Sequence, residues 1–316
     1  MKRLLRQPVF VAGGREYCWA DVVRAADQRG DWEPLIRRTR RALALLERSA
    51  ETQGPRVSDE ELDAAAQAFR LSRRLLTAEE MEAWLEGCGL SVEGWLRALE
   101  AELLLEGDEH SGQGVELAAG DADGFEDALF AQALVSGALQ RLAEQLAGQT
   151  AVEERLAAQG IVPAAGSDPI ELFRGLVLKS SDVEAHVRGH QEDFTRVVFK
   201  ELKLEQEEMA REAVLAIRDD GTTISGVAAA ARVDRGEREV FLKDLPPDAA
   251  ARLFMMSPGE LSEIVPEDGG YVLHLLVSKT LPSVTDQDVL ARAEADLLAQ
   301  LVRREVAERV KWLLPR

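Results

Sequence analysis

The feature that most constrains the fold is the stretch LFMMSPGELSEIVPEDGGYVLHLLVSK, residues 253–279, because turn signals and a strand pattern alternate within it. Residues 257–260 are typical of a turn, and residues 261–265 form a short apolar run. The triplet 268–270 is a hairpin signal, since its glycines can adopt the positive φ that tight turns need. Apolar residues on both faces of 271–277 then predict a strand that is covered on both sides. The stretch therefore predicts a small sheet.

The residues before this stretch alternate between strand and helix signals. Residues Val197 to Leu204 predict a strand, and Arg238 to Leu242 predict an extended segment. Apolar periodicity predicts three intervening helices, over Gln206 to Arg218, Ile224 to Ala231 and Pro247 to Met255.

The first third of the chain, residues 1–106, predicts a helical module with a small N-terminal hairpin. Short strand patterns over 9–11 and 16–19 flank a Gly-Gly pair and predict the hairpin. A helix is predicted from Asp31 to Ser49. Capping boxes that begin at Ser58 and Thr77 predict two further helix starts. Trp84 and Trp95 recur at helical spacing and predict a core position.

Residues 107–124, rich in glycine and acidic side chains, predict a linker. A helical connector is predicted over 125–195, with one helix from Phe125 to Gly148 and a third capping box at Ser181 to Glu184. The last segment, 282–316, predicts one long helix from a Thr285 cap to Leu314. This helix is longer than a small sheet domain needs, so we expect it to pack on residues 1–106.

Length and composition set the outer limits. A chain of 316 residues that is 46% hydrophobic can form two or three domains. The predicted class is α+β with helix predominating. A formal net charge of −19 argues against nucleic acid as a partner, because phosphate binding needs a basic surface.

No segment has the length of a transmembrane helix, so no membrane association is expected. The N-terminal apolar run is broken at residues 6–8, which is not typical of a signal peptide, and the expected location is the cytoplasm. Cys18 and Cys88, the only cysteines, form no CxxC pair and are expected to fill the core.

Several motifs together resemble a known family. They are the run SSDVEAHVRGHQEDF (180–194), the pair Leu253-Phe254, the residues 258–262 and the strand start 269–271. These resemble the parvulin-type peptidyl-prolyl isomerases, in particular the chaperone-like members with a helical N-terminal domain. The resemblance implies a parvulin-like sheet domain over 196–281, and a helical chaperone-like module from 1–106 with 285–314.

The chain departs from the parvulin pattern at the catalytic positions. The first strand has no histidine, and the position of the second usual histidine is Val272. The pocket phenylalanine falls on Ala249, and only Asp234 lies in the region of the usual cysteine or aspartate. The resemblance therefore implies a domain without catalytic residues. His274 lies two residues beyond Val272, so its side chain is expected on the same face of the strand.

The predicted function is that of a non-catalytic, parvulin-like chaperone or peptide-binding protein. Residues 58–70 and 76–95 resemble peptide-maturation factors, distantly related to parvulins, of bacterial ribosomal-peptide pathways. This implies a ribosomally made precursor peptide, or another unfolded peptide, as the partner. The acidic composition favours a basic or neutral client. The predicted peptide contacts are Phe199, Leu245, Phe254, Met255, Met256, Val272 and His274, with Trp84 and Trp95 as further candidates.

Two alternatives remain open. The first is an enzyme that uses the same cleft, as a residual prolyl isomerase or with a replaced activity, and the polar residues Lys200, Glu201, Lys203 and His274 favour it. The second is an interaction scaffold in which the C-terminal helix forms a dimer, and the sequence leaves the oligomeric state open.

His186 and His190 stand four residues apart on a predicted helix, a spacing that allows two imidazoles to bind one metal. A third ligand is not identifiable, and two histidines on a solvated helix face are the expected arrangement. Neither a metal nor a cofactor is predicted.

Overall fold

The computed structural model describes residues 2–50, 57–111, 124–164, 166–231, 235–267 and 269–313. The predicted α+β class with a predominance of helix is confirmed, and the strand pairs within these residues are antiparallel. The chain divides into two compact units. Unit 1 contains Met1–Phe173 and Val302–Arg316, and unit 2 contains Arg174–Leu301.

Unit 1 is mainly helical. Its elements are α1 (Lys2–Leu5), β1 (Pro8–Ala12), β2 (Arg15–Cys18), α2 (Trp19–Arg29), α3 (Trp32–Ala50), α4 (Asp59–Ser72), α5 (Ala78–Cys88), α6 (Val92–Ser111), α7 (Phe125–Val135), α8 (Ala138–Ala158) and β7 (Lys311–Trp312). Two helices have residues in both units, α9 (Pro169–Val177) and α14 (Gln287–Arg309).

Unit 2 combines a sheet with short helices. Its elements are α10 (Ser180–Gly189), β3 (Arg196–Leu204), α11 (Glu207–Arg218), α12 (Ile224–Ala231), β4 (Arg235–Phe241), a 3-10 turn (Leu242–Asp244), α13 (Pro247–Met255), β5 (Val265–Glu267) and β6 (Gly270–Thr280). The strands and helices predicted between Val197 and Val277 are confirmed, with small shifts of their ends; Asp268 lies outside the described residues.

Two of the three predicted capping boxes are confirmed. The Ser58 hydroxyl accepts a hydrogen bond from the backbone N–H of Glu61 at 3.2 Å, and the Glu61 carboxylate accepts one from the Ser58 N–H at 2.8 Å. Thr77 and Glu80 form the same arrangement. The box predicted at Ser181 is wrong, because α10 already begins at Ser180 and its N-cap is Lys179.

The helix predicted from Phe125 to Gly148 is in fact two helices. Gly137 adopts a φ of +71° and separates α7 from α8, a conformation that only glycine reaches at little cost. Of the predicted linker, residues 107–111 form the last turn of α6. Residues 112–123 lie outside the described residues.

A three-stranded sheet in unit 1 has the order β2-β1-β7. The prediction of a helix to Leu314 is wrong, because α14 ends at Arg309 and the chain continues as β7 beside β1. The Leu313 N–H donates to the Val9 carbonyl at 2.9 Å, and the Trp312 ring lies 5.5 Å from the ring of Phe10. The predicted Thr285 cap is also wrong, since the Asp286 carboxylate accepts from the first N–H groups of α14.

Both candidate tryptophans of unit 1 lie in a cluster around Phe69, with ring centroids 5.3 Å from it for Trp84 and 5.6 Å for Trp95. Trp95 is buried and Trp84 is half-buried, which confirms their predicted core position.

The sheet of unit 2 has the order β4-β3-β6-β5 and two distinct faces. Because side chains alternate along a strand, Leu202 and Leu273 point to one face, where they pack with α11 and α12. Phe199 and Leu276 point to the other face and pack with α13. We call this second side the α13 face. None of the helices described here is long and apolar enough to cross a membrane.

Candidate functional site

The apolar part of the α13 face is a closely packed cluster. Phe199 from β3 and Leu276 from β6 lie opposite each other in the strand register. Leu253 and Met256 from the end of α13 pack against them, and all four side chains are buried. Strand alternation places Phe199 and Leu276 on this face, and the apolar side of α13 packs against them.

The end of α13 is held in place by Lys279 of β6. Its ammonium group donates hydrogen bonds of 2.6 Å to the carbonyls of Phe254 and Met256, which are among the last carbonyls of the helix and lack intrahelical partners. Met255, between these two residues, is 81% exposed. The structure therefore presents one apolar side chain to solvent from a fixed backbone.

The loop after α13 is also fixed to β6. The Gly259 N–H donates to the Leu276 carbonyl at 2.7 Å, and the Leu276 N–H donates to the Glu260 carbonyl at 3.0 Å. The Glu260 carboxylate accepts from the Ser257 N–H at 2.7 Å. These bonds limit how far the end of α13 can move.

The polar part of the α13 face is built around Glu201 and His274, which are register partners on β3 and β6. His274 Nε2 lies 3.4 Å from Glu201 Oε2, and the ring of Phe199 stands edge-on at 5.2 Å from the imidazole. His274 is 3% exposed, and its Nδ1 has no hydrogen-bond partner among the described residues. A buried, unsatisfied ring nitrogen is uncommon in proteins, and it is available to a water or a ligand.

Burial is the main cause that lowers the pKa of His274 below its ordinary value, while the carboxylate of Glu201 acts in the opposite direction. The neutral ring is thus the favoured form at pH 7. A neutral ring that donates from Nε2 to Glu201 keeps Nδ1 as an acceptor.

Two cations share the Glu201 carboxylate with His274. Lys203 Nζ lies 3.6 Å and an Arg238 guanidinium nitrogen lies 4.0 Å from it. Lys203 also lies 3.9 Å from Glu267. This network can orient the imidazole beside the carboxylate, and such a pair can accept or donate a proton.

The seven predicted contact residues all belong to the α13 side of unit 2. Phe199, Leu245, Phe254 and Met256 form one cluster, with Phe254 half-buried and the others buried. Val272 is buried opposite Lys203 and Val265, two positions from His274 on the same face, as expected. Their role as peptide contacts remains a prediction.

Sequence reasoning did not single out the residues that shape this surface, namely Arg252 and Lys279. Lys279 lies beyond the strand predicted over 271–277 and gives no local signal, because the carbonyls it binds lie 23 and 25 residues earlier in the chain. Lys200, which we expected in the cleft, points to the opposite face of β3 by strand alternation and pairs with Glu237 at 3.8 Å.

The positions that depart from the parvulin pattern are placed as follows. Ala249 is half-buried against the apolar cluster of the α13 face. Asp234 lies outside the described residues.

The histidine pair of α10 is not a solvated pair as expected. His186 is buried, and its Nε2 lies 2.9 Å from Asp296 Oδ2, while Lys243 lies 2.7 Å from the other oxygen of that carboxylate. His190 is exposed, and its Nδ1 lies 3.0 Å from the His186 carbonyl. In the part of the chain that the structure describes, no group of three or more His, Cys, Asp or Glu side chains could hold a metal ion.

Comparison with known proteins gives similarity at the level of structures only. No protein-family model matches the chain, and no curated protein matches it. The foldase protein PrsA from Streptococcus pneumoniae is 11% identical, with 96% of this chain and 93% of that chain covered and a TM-score of 0.32.

The peptidyl-prolyl isomerase PrsA from Bacillus cereus is 13% identical, with 96% of this chain and 91% of that chain covered and a TM-score of 0.27. A SurA-like chaperone from Campylobacter jejuni is 11% identical, with 98% of this chain and 99% of that chain covered and a TM-score of 0.21.

Proposed function

We propose that this protein binds extended or partly folded polypeptides, as a chaperone does, and that they bind to the α13 face. The observation that carries the proposal is Met255, which is 81% exposed although the residues on both sides of it are fixed by Lys279. A large apolar side chain that a fixed backbone holds in solvent can bury its surface only against another molecule.

The neighbouring side chains suit a polypeptide ligand. Phe254 is half-buried beside Met255, so part of its ring is also available. Methionine is flexible and polarisable, and it adapts to differently shaped apolar side chains. A fixed backbone with an adaptable side chain supports binding of many segments with modest affinity.

We further propose that the client is a ribosomally made precursor peptide. Support comes from the sequence likeness of residues 58–70 and 76–95 to maturation factors of ribosomal-peptide pathways. Comparing the affinity for candidate precursor peptides with that for a generic unfolded chain of equal length tests this step. Equal affinities would contradict a dedicated client.

The binding test should use a fluorescently labelled, permanently unfolded polypeptide and its anisotropy. All five tryptophans, Trp19, Trp32, Trp84, Trp95 and Trp312, lie in unit 1, so intrinsic fluorescence gives no direct signal from the α13 face.

We expect saturable binding that Met255→Ala weakens about fivefold, the loss that about 1 kcal/mol of apolar contact produces. Leu215→Ala is the matched control, because Leu215 is an exposed apolar residue of α11, on the other side of the same sheet. Absence of binding to every unfolded chain would contradict the proposed function.

A second function, an enzyme that uses the same face, is favoured by one observation, the buried pair of Glu201 and His274 with its unsatisfied Nδ1. A prolyl isomerisation assay on short peptides tests it. If the pair acts on a substrate, Glu201→Gln and His274→Gln abolish the activity while the Met255→Ala variant retains turnover of saturating peptide. No acceleration by the wild-type protein would contradict this alternative.

The place of action and the oligomeric state are separate proposals. We propose the cytoplasm, which fractionation of the source cells with an antibody tests, and recovery in a secreted or membrane fraction would contradict it. Light scattering on the intact protein tests the alternative that α14 forms a dimer.

A further inference from the structure

Arg252 stands beside Met255 on the exposed side of α13. The two residues are three apart, so their side chains lie on the same side of the helix. Arg252 is half-buried, and its guanidinium forms no ion pair and no hydrogen bond with any of the described residues. Asp248 lies one turn earlier on the same helix, but its carboxylate forms no ion pair with Arg252.

This lack of a partner contrasts with the other cations nearby. Lys203 and Arg238 are paired with Glu201, and Lys279 is bound to two backbone carbonyls. The contrast is local, because each of these three neighbouring cations has protein partners and Arg252 has none among the described residues. The Arg252 guanidinium therefore keeps its five N–H donors for water or a ligand.

Arg252 also acts electrostatically on the polar part of the face. Its charge is one of the causes that lower the pKa of His274, after burial. The guanidinium is thus close enough to act on the imidazole of His274.

We propose that the end of α13 selects client segments in which an apolar side chain lies next to a carboxylate, with Met255 contacting the apolar group and Arg252 binding the carboxylate. This inference rests on the proposed function and names the class of client. It replaces the expectation of a basic or neutral client, which followed from net charge alone.

The proposed preference depends on two opposing effects, the pairing of Arg252 with a carboxylate of the client and the repulsion of an acidic client by the net negative charge of the protein. A guanidinium binds a carboxylate with two parallel hydrogen bonds, which are stronger than neutral ones. The net charge of −19 repels an acidic client at long range, but exposed charges beyond about 8 Å are screened at physiological salt. The ion pair with Arg252 therefore determines whether acidic or basic segments bind more tightly. Acidic segments without an adjacent apolar residue lack the contact with Met255, so their binding free energy is too small for a stable complex.

The test uses two labelled peptides of equal length with the same apolar centre, one flanked by glutamates and the other by lysines, and in addition a neutral unfolded chain. We expect the wild-type protein at physiological salt to bind the glutamate peptide roughly fivefold tighter than the lysine peptide. Arg252→Gln should bind the two peptides with equal affinity, and Arg252→Glu should bind the lysine peptide more tightly. These variants should fold, because the side chain has no protein partner to lose.

Arg211→Gln is the matched control, since Arg211 is an exposed arginine of α11 that pairs with Glu207. It should leave the ratio unchanged. Met255→Ala should weaken both peptides by the same factor and keep the ratio.

The outcomes separate this inference from the proposed function. Binding of the neutral chain that Met255→Ala weakens, with a peptide ratio that Arg252→Gln and Arg252→Glu do not change, would overturn the inference and leave the proposed function standing. A wild-type preference for the lysine peptide would overturn the inference as well. No binding of any of the three probes would overturn both.

Discussion

At the scale of single residues, His274 makes the stability of the folded protein depend on pH. Its folded pKa is lowered below the unfolded value of 6.5, mainly by burial. Below pH 6.5 the unfolded chain therefore binds more protons at this position than the folded chain does. The free energy of unfolding is therefore highest above pH 6.5, where the ring is neutral in both states. It decreases as pH falls below 6.5, because the unfolded chain takes up a proton that the buried ring does not.

We predict that the wild-type protein loses free energy of unfolding relative to His274→Gln as pH falls from 7.5 to 5.5. Denaturant titrations of both proteins across this range measure the difference. His190→Gln is the control, because His190 is exposed. A wild-type protein that gains stability over His274→Gln at low pH would contradict the predicted direction.

We also predict that Glu201→Gln lowers the pKa of His274 further, because the carboxylate favours the protonated ring. An NMR titration of the imidazole protons, assigned by their absence in His274→Gln, measures both pKa values. A pKa that rises in Glu201→Gln would show that the carboxylate does not act on this ring.

Gly270, at the start of β6, has the least space around it of the glycines that the structure describes. A Cβ at this position would lie 2.3 Å from the Leu204 carbonyl oxygen, and backbone atoms cannot move aside as a side chain can. We predict that Gly270→Ala destabilises unit 2 by about 2–3 kcal/mol. Gly236→Ala, in β4, is the control, since its nearest neighbour would be the Glu201 Cβ at 3.9 Å. Equal effects of the two substitutions in denaturant titrations would contradict the steric explanation.

At the scale of elements, the turn after α4 contains backbone strain. Arg74 has a φ of +57°, the left-handed region in which glycine is favoured. The Leu75 N–H donates to the Arg70 carbonyl and the Arg74 N–H to the Leu71 carbonyl, which is the Schellman pattern. The hydrogen bonds thus fix a conformation that the arginine side chain disfavours.

We predict that Arg74→Gly raises the free energy of unfolding of unit 1 by about 0.5–1 kcal/mol, because relief of strain exceeds the extra entropy of glycine in the unfolded chain. Gly30→Ala is the inverse control. Gly30 has a φ of +81° at the end of α2 with open space around it, so this substitution should destabilise by about 1 kcal/mol. Thermal unfolding measures both, and a lower midpoint for Arg74→Gly would be evidence against the strain.

The elements also show what a sequence can and cannot predict. The helices that Ser58 and Thr77 cap could be predicted because their caps are local hydrogen bonds within four residues. Strand β7 could not, because Val310 and Leu313 continue the helical period of α14, and only pairing with β1, some 300 residues away, gives Lys311 and Trp312 a strand conformation.

The candidate site followed the same rule. The apolar cluster that contains Phe199, Phe254 and Met256 could be predicted because local periodicity places these residues on one side of a strand or a helix. The pairing of Glu201 with His274 could not, because it depends on the register of β3 with β6, which shifts between Val198 and Phe199. The role of Lys279 depends on a tertiary contact as well.

At the scale of the whole molecule, each of the two units has its own apolar clusters. Chains with more than one such core often do not unfold in a single transition. Because all five tryptophans lie in unit 1, tryptophan fluorescence follows the unfolding of unit 1, while far-UV circular dichroism follows both units.

We predict that Gly270→Ala shifts part of the circular dichroism transition to lower denaturant and leaves the fluorescence midpoint unchanged. Trp312→Ala should lower the fluorescence midpoint and shift only the part of the circular dichroism transition that comes from unit 1, since it removes the ring that packs on Phe10 in that unit. Coincident shifts of both signals in both variants would show that the two units unfold as one.

The pairing of β1 with β7 has a consequence for the order of events during synthesis on the ribosome. Residues 8–12 are made early, but their partner residues 311–312 follow about 300 residues later, which takes roughly 15–60 s at typical rates of translation. Residues 174–301 emerge in between, so unit 2 can fold while one edge of the N-terminal hairpin still lacks its third strand. For that interval the nascent chain exposes an open strand edge, the kind of surface on which other chains add.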